Sequence, residues 1–179
     1  AVCFLKTLLN KLLTQQLQIS KANNFNQHFP RIKIKDSTKF SLPSHYDNIY
    51  SGYNNFSKKN GLMCMQYEYD LVSSNWLSIA ITKGLRNDQR DAAETIESVT
   101  TGDLHIRDLG YITPAYLSGV VERKAFFLNR LPAMAGVFTN EMKPLDWKKV
   151  NQLLNARRAT SMEMDVLVYE KSRIPCRLI

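Results

Sequence analysis

Two short stretches constrain this chain more than any other feature: Ile32-Lys33-Ile34-Lys35-Asp36 and Leu104-His105-Ile106-Arg107-Asp108. Each runs apolar, basic or His, apolar, basic, Asp. Side chains alternate between the faces of a strand, so Ile32, Ile34 and Asp36 share one face, as do Leu104, Ile106 and Asp108. Each Asp closes a row of otherwise core-facing residues, where an unpaired carboxylate is costly. Neighbouring strands lie about 5 Å apart, so two such strands side by side bring their terminal carboxylates close enough to hold one divalent cation. Taken singly, Asp36 before Ser37-Thr38 and Asp108 before Leu109-Gly110 read more simply as turn or cap aspartates. Lys33, Lys35 and Arg107 fall on the opposite faces, where solubility or a covering helix accounts for them equally well.

The rest of the chain supplies elements to pack around two such strands. Leu5, Leu8, Leu9, Leu12, Leu13 and Leu17 recur at helical spacing, which predicts an amphipathic helix over 4–19. The first patterned strand runs from about Arg31 to Lys39, and the Ser-, Asn- and Tyr-rich segment 41–60 reads as a long irregular, functional connection. Residues 61–73 and 76–82 have strand composition around a Ser-Ser-Asn turn and predict an antiparallel hairpin. Asn87 or Asp88 can cap a helix over about 89–99, with Ala92, Ala93, Ile96 and Val99 inward. Thr113-Pro114 is a strong helix start, because Thr accepts from free backbone amides and Pro needs no amide there. A short strand follows at 124–131. A helix over about 145–157 is expected to bury Trp147, Val150, Leu153 and Leu154, and 162–169 with 174–179 predict a last hairpin. Strands alternating with helices in this order make a mixed α/β fold.

Composition sets the class and its partners. The 179 residues are 44% hydrophobic and 22% charged, ordinary for one globular unit with a sizeable core. No apolar run approaches the roughly 18 residues of a membrane span, so no membrane partner is expected. Cys3, Cys64 and Cys176 are odd in number and far apart, which indicates neither a disulfide framework nor a zinc site and suits a reducing cytoplasm. The net charge of +8 is uneven: residues 1–60 carry nine Lys or Arg against two acids, and residues 61–110 carry four against eight. Basic surface favours polyanions through counterion release, so nucleic acid is the natural partner, with plain solubility as the alternative. Lys58-Lys59, interleaved with Tyr46, Tyr50, Tyr53 and Phe56, is the best candidate for DNA contact, since cations hold phosphates and aromatic rings stack on bases. His28, His45 and His105 show no catalytic spacing. Trp76 and Trp147 read as core residues.

Ile34-Lys35-Asp36-Ser37-Thr38 followed by Leu42-Pro43, the middle hairpin, Asn87-Asp88-Gln89, then Asp108-Leu109-Gly110-Tyr111 opening onto a helix and an aromatic strand ending in Arg130-Leu131, together resemble the insertion-sequence-4 type of DDE transposase over roughly residues 30–179. The resemblance implies a ribonuclease H-like α/β fold, a mixed sheet flanked by helices, with Asp36 on the first strand and Asp108 at the end of the fourth. It implies that these two carboxylates and a later Glu hold Mg²⁺ or Mn²⁺ ions, which activate water or a DNA 3′-hydroxyl for in-line attack on a phosphodiester. The partners implied are transposon ends and target DNA in a bacterial, nucleoid-associated cytoplasm, with room for a homodimer on DNA.

The third acid departs from the family pattern. No tyrosine here is followed by Arg, Glu and Lys at the family's helical spacing; after Tyr169, Ser172 stands where Arg belongs. Glu141, Glu163 and Glu170 are available but sit in strand-like surroundings that favour solvated carboxylates. The expected organisation is an N-terminal helical segment at 1–29, a partial catalytic core at 30–133 and the start of a strand-rich insertion subdomain at 134–179. The chain opens on Ala1 and closes straight after a strand, so it reads as a piece that stops before the Glu and is inactive alone. Two alternatives share these residues: a non-catalytic DNA-binding remnant, and a metal-dependent nuclease of the same fold.

Overall fold

The computed structural model describes residues 28–52 and 60–179, together with positions 4, 7, 8 and 11. Those four positions are helical, and the rest of the segment predicted at 4–19 lies outside the described residues, as do Lys58 and Lys59. No helix among the described residues is long and apolar enough to cross a membrane.

Five strands form the main sheet: β1 (Ile32–Leu42), β2 (Gly61–Asp70), β3 (Asn75–Lys83), β4 (Leu104–Arg107) and β5 (Phe126–Leu128), in the order β3-β2-β1-β4-β5. β1, β2 and β3 are antiparallel neighbours, whereas β4 and β5 run parallel to β1. Parallel strands need a crossover, and helices supply it. α1 (Asp88–Glu94) leads through a 3-10 turn at Ile96–Ser98 into β4, and α2 (Pro114–Glu122) joins β4 to β5. This mixed sheet flanked by helices is the ribonuclease H-like α/β arrangement that the sequence implied.

The capping residues act as expected. Asn87 accepts from the Arg90 amide at 2.9 Å at the start of α1, and Thr113 accepts from the Tyr116 amide at 3.1 Å at the start of α2, with Pro114 in the first turn. α2 buries Tyr116, Leu117 and Val120. Gly119 lets α2 approach closely, since a Cβ there would lie 2.9 Å from the Ile96 side chain. α1 ends earlier than expected, at Glu94, and Ala93 faces solvent while Ala92 is buried.

A second sheet, β6 (Val137–Phe138), β7 (Met164–Val168) and β8 (Ile174–Leu178), is antiparallel throughout and follows the predicted last hairpin. Its Val137, Val166, Val168 and Ile174 join Val99, Tyr111, Ile112, Tyr116, Leu117, Val120 and Ala125 in one hydrophobic core. Each such side chain contributes about 1.5–3 kcal/mol when fully buried. Between β6 and β7 lies α3 (Trp147–Arg157), capped by Asp146, which accepts from the Lys148 and Lys149 amides. The expectation that α3 buries Trp147 and Leu153 is corrected: Trp147 is 50% exposed and no residue of α3 is buried. The apolar stripe is real but only half covered: Val150 and Leu154 are half-buried, and Trp147 and Leu153 are exposed.

A further correction concerns the faces of the main sheet. The row expected to face the core, ending in Asp36, is half-open: Ile34, Leu104 and Ile106 are only partly buried, and Asp36 is exposed. The basic row is the one that the helices cover. Lys33, Lys35, Gln66, Glu68, Asp70, Asp103, His105 and Arg107 are all buried there, with Asp91 of α1 above them. The register explains how so many charges tolerate burial. Lys33 pairs across to Asp70 on one side and His105 on the other, and Lys35 lies between Glu68 and Arg107. Lys33 Nζ donates to the Ser98 carbonyl at 2.8 Å and lies 3.5 Å from Asp103; Lys35 forms an ion pair with Asp91; Arg107 donates to Glu68 at 3.3 Å and stacks over Tyr116 at 4.6 Å. Lysine and arginine stems fill the space like aliphatic chains, while their ends find carboxylates and carbonyls.

Candidate functional site

β1 and β4 place the two predicted carboxylates. Their parallel register pairs Ile32 with Leu104, Lys33 with His105, Ile34 with Ile106 and Lys35 with Arg107. Asp36 and Asp108 each follow the last pair by one residue, on neighbouring strands whose usual spacing is about 4.8 Å. Asp36 is still within β1, whereas Asp108 sits where β4 gives way to a 3-10 turn at Leu109–Tyr111. Both lie at the edge of the half-open face and both are exposed.

Each carboxylate has its own partners. Asp36 Oδ1 accepts from the Ser37 amide at 2.8 Å, and Oδ2 accepts from the Tyr67 hydroxyl of β2 at 3.2 Å. Burial, helped by the negative charge of Asp36, pushes the Tyr67 hydroxyl's pKa up, so it stays a donor. Asp108 Oδ1 accepts from Arg130 Nη2 at 2.6 Å. That bond, with a second from the Leu109 amide, holds the Asp108 carboxyl below the usual carboxylate range.

On the helix side of the same strands lies a polar cluster that the sequence reading did not single out. Asp88, the first residue of α1, accepts at Oδ1 from Ser37 Oγ at 3.0 Å and from Gln66 Nε2 at 2.9 Å. Gln66 Oε1 in turn accepts from the buried Tyr111 hydroxyl at 2.5 Å. In sequence, Asp88 reads as a helix-cap residue and as part of the Asn87-Asp88-Gln89 segment of the resemblance; its partners lie 51 and 22 residues away, at distances no local pattern encodes. Arg130 was visible only as the end of an aromatic strand.

The arrangement suits a hard cation in part. Two exposed carboxylates at a strand end offer oxygen ligands and leave room for waters, which Mg²⁺ commonly keeps. Among the described residues, no group of three or more His, Cys, Asp or Glu side chains is arranged to hold a metal ion. Glu141, Glu163 and Glu170 are exposed around the second sheet, and Thr139 and Arg177 engage the first two. The described chain therefore presents a pair of carboxylates rather than a complete triad.

Comparison with known proteins gives a concordant result. The family model described as a transposase DDE domain matches residues 27–171. The transposase for insertion sequence element IS231F of Bacillus thuringiensis subsp. israelensis is 32% identical over 146 residues, covering 80% of this chain and 30% of its own length. That for IS231B of Bacillus thuringiensis subsp. berliner is 34% identical with the same coverage. The transposase for IS1151 of Clostridium perfringens is 23% identical over 150 residues. The chain thus spans about 30% of the length of the curated relatives it matches.

Proposed function

The chain belongs to the transposase DDE domain family, and from that premise we propose that it is part of a DNA transposase whose Asp36 and Asp108 together hold Mg²⁺ or Mn²⁺. The observation that supports this reading is the parallel β1–β4 register, whose last pair, Lys35 with Arg107, is followed on each strand by an exposed aspartate. When bound, a divalent cation would polarise a phosphodiester and make a water or a 3′-hydroxyl nucleophilic near neutral pH.

The chain's own residues prepare the site for that ion. Arg130 holds Asp108 by an ion pair and, being itself largely exposed, could exchange the carboxylate for a DNA phosphate. Tyr67 and the Ser37 amide orient Asp36 through two donors, leaving lone pairs on both oxygens for a metal. The substrate would be DNA, transposon ends and target, in the cytoplasm of a bacterium. Residues 134–179 would belong to an insertion in the catalytic core, with the third acid supplied after it.

The test is cleavage and joining, by the full-length transposase that carries these residues, of labelled DNA bearing the transposon ends, with Mg²⁺ present. Asp36→Asn and Asp108→Asn should each lower product formation by at least about a hundredfold while leaving the fold unchanged. Cleavage without joining would replace transposition by hydrolysis, and unchanged activity in both variants would dismiss the pair.

A further inference from the structure

We propose that Asp88 is a positioning residue that sets the spacing of the Asp36 and Asp108 segments from the helix side of the sheet. The proposal rests on the reading of those two aspartates as the metal pair. Ser37, the residue after Asp36, and Gln66, its register partner on β2, both donate to one oxygen, Asp88 Oδ1. The other oxygen faces Gly110, two residues after Asp108, so closely that a Cβ on Gly110 would lie 2.8 Å from it. The Tyr111 hydroxyl then closes the circuit onto Gln66. A single carboxylate, carried by the start of α1, thereby touches the Ser37 side chain next to Asp36 and closely approaches the Gly110 backbone just after Asp108.

The cluster has no other evident use. Asp88 lies on the face opposite the half-open one, so it does not share the metal pair's solvent-facing edge. Gln66 is buried and Asp88 half-buried, and Gln66 accepts from Tyr111 and donates to Asp88, with a further contact to the Cys64 sulfur. Groups that orient metal ligands from behind typically change metal affinity by about 10–100-fold when removed. The geometry further separates positioning from ligation, because both donors converge on Oδ1. Asparagine keeps one carbonyl oxygen that can accept from both; alanine keeps none.

The experiment is a Mn²⁺ titration of the 179-residue chain, with free ion read by its electron paramagnetic resonance signal and folding checked by thermal melting. Asp88→Ala should weaken Mn²⁺ binding about tenfold, while Asp88→Asn stays within about threefold of the unaltered chain. Gly110→Ala, which displaces the Asp88 carboxylate, should weaken binding in the unaltered background and add nothing to Asp88→Ala. If Asp88→Ala does not fold, Ser37→Ala carries the test, with a several-fold loss supporting the proposal and unchanged affinity overturning it. Equal losses in Asp88→Ala and Asp88→Asn would overturn positioning in favour of a direct charge role; no loss in either would overturn it outright. Failure of the underlying pair looks different. There the unaltered chain takes up no Mn²⁺, or Asp36→Asn and Asp108→Asn leave its uptake unchanged.

Discussion

His105 shows how far the chemistry of single residues here is governed by the layer that the helices cover. It is fully buried, neither ring nitrogen has a hydrogen-bond partner among the described residues, and its charged neighbours are Lys33, Arg107 and Arg31 against Asp103 alone. Burial first, then the neighbouring Arg107 and Lys33 cations, push its pKa down to about 3. The unfolded chain takes up that proton near pH 6.5, whereas the folded chain resists until about pH 3. Because the folded-state value is the lower one, stability falls as pH drops through that window, by up to about 1.4 kcal/mol per pH unit from this residue. Urea unfolding midpoints between about pH 7 and pH 4 measure the slope. His105→Gln, neutral throughout, should lose that part of it; identical slopes in both proteins would show that His105 is not the titrating group. Asp108, at the open end of the same strand, behaves oppositely, since Arg130 favours its charged form.

At the scale of elements, α1 is fastened to the sheet by charge as much as by packing. Lys35 and Asp91 are both buried and form an ion pair, with Arg86 reaching Asp91 from outside at 3.4 Å. Removing Lys35 leaves the buried Asp91 with Arg86 alone at 3.4 Å, so Lys35→Ala should cost up to about 3–5 kcal/mol, and Lys35→Met with Asp91→Leu should recover most of it. A double variant as unstable as the single one, by urea denaturation, would contradict this account. The pair also shows where sequence reading succeeds and stops. The period of β1 was plain, and so were the hairpin β2–β3 and the caps Asn87 and Thr113, because these depend on local spacing. Which face of β1 is covered was not, since an alternation of Ile and Lys defines two faces without saying where a helix lands. Asp91, Glu68 and Asp103, which neutralise the basic row, come from segments 33 to 70 residues away in the chain. Trp147 and Leu153 illustrate the same limit from the other side: their helical spacing was legible, but a stripe does not reveal whether anything lies over it. β6, only two residues long, carries no period at all.

For the whole molecule, topology brings the two copies of a repeated five-residue pattern side by side. Had β4 paired anywhere except beside β1, Asp36 and Asp108 would be separate turn residues; the order β3-β2-β1-β4-β5 makes them neighbours. The pair was legible because its strands share one pattern, whereas Asp88, Gln66 and Arg130 were not, because tertiary contact alone brings them to it. One hydrophobic core joins α1, α2 and the second sheet, and it includes Tyr111 and Ile112, just after Asp108. The direct test of the central claim is paramagnetic broadening of backbone amide signals in the ¹⁵N-labelled chain on addition of Mn²⁺. Broadening should begin at Ser37, Leu109 and Gly110, and should vanish from both segments together in either Asp36→Asn or Asp108→Asn. Broadening that begins elsewhere, or that survives at one segment when the other aspartate is replaced, would show that the two carboxylates do not share an ion.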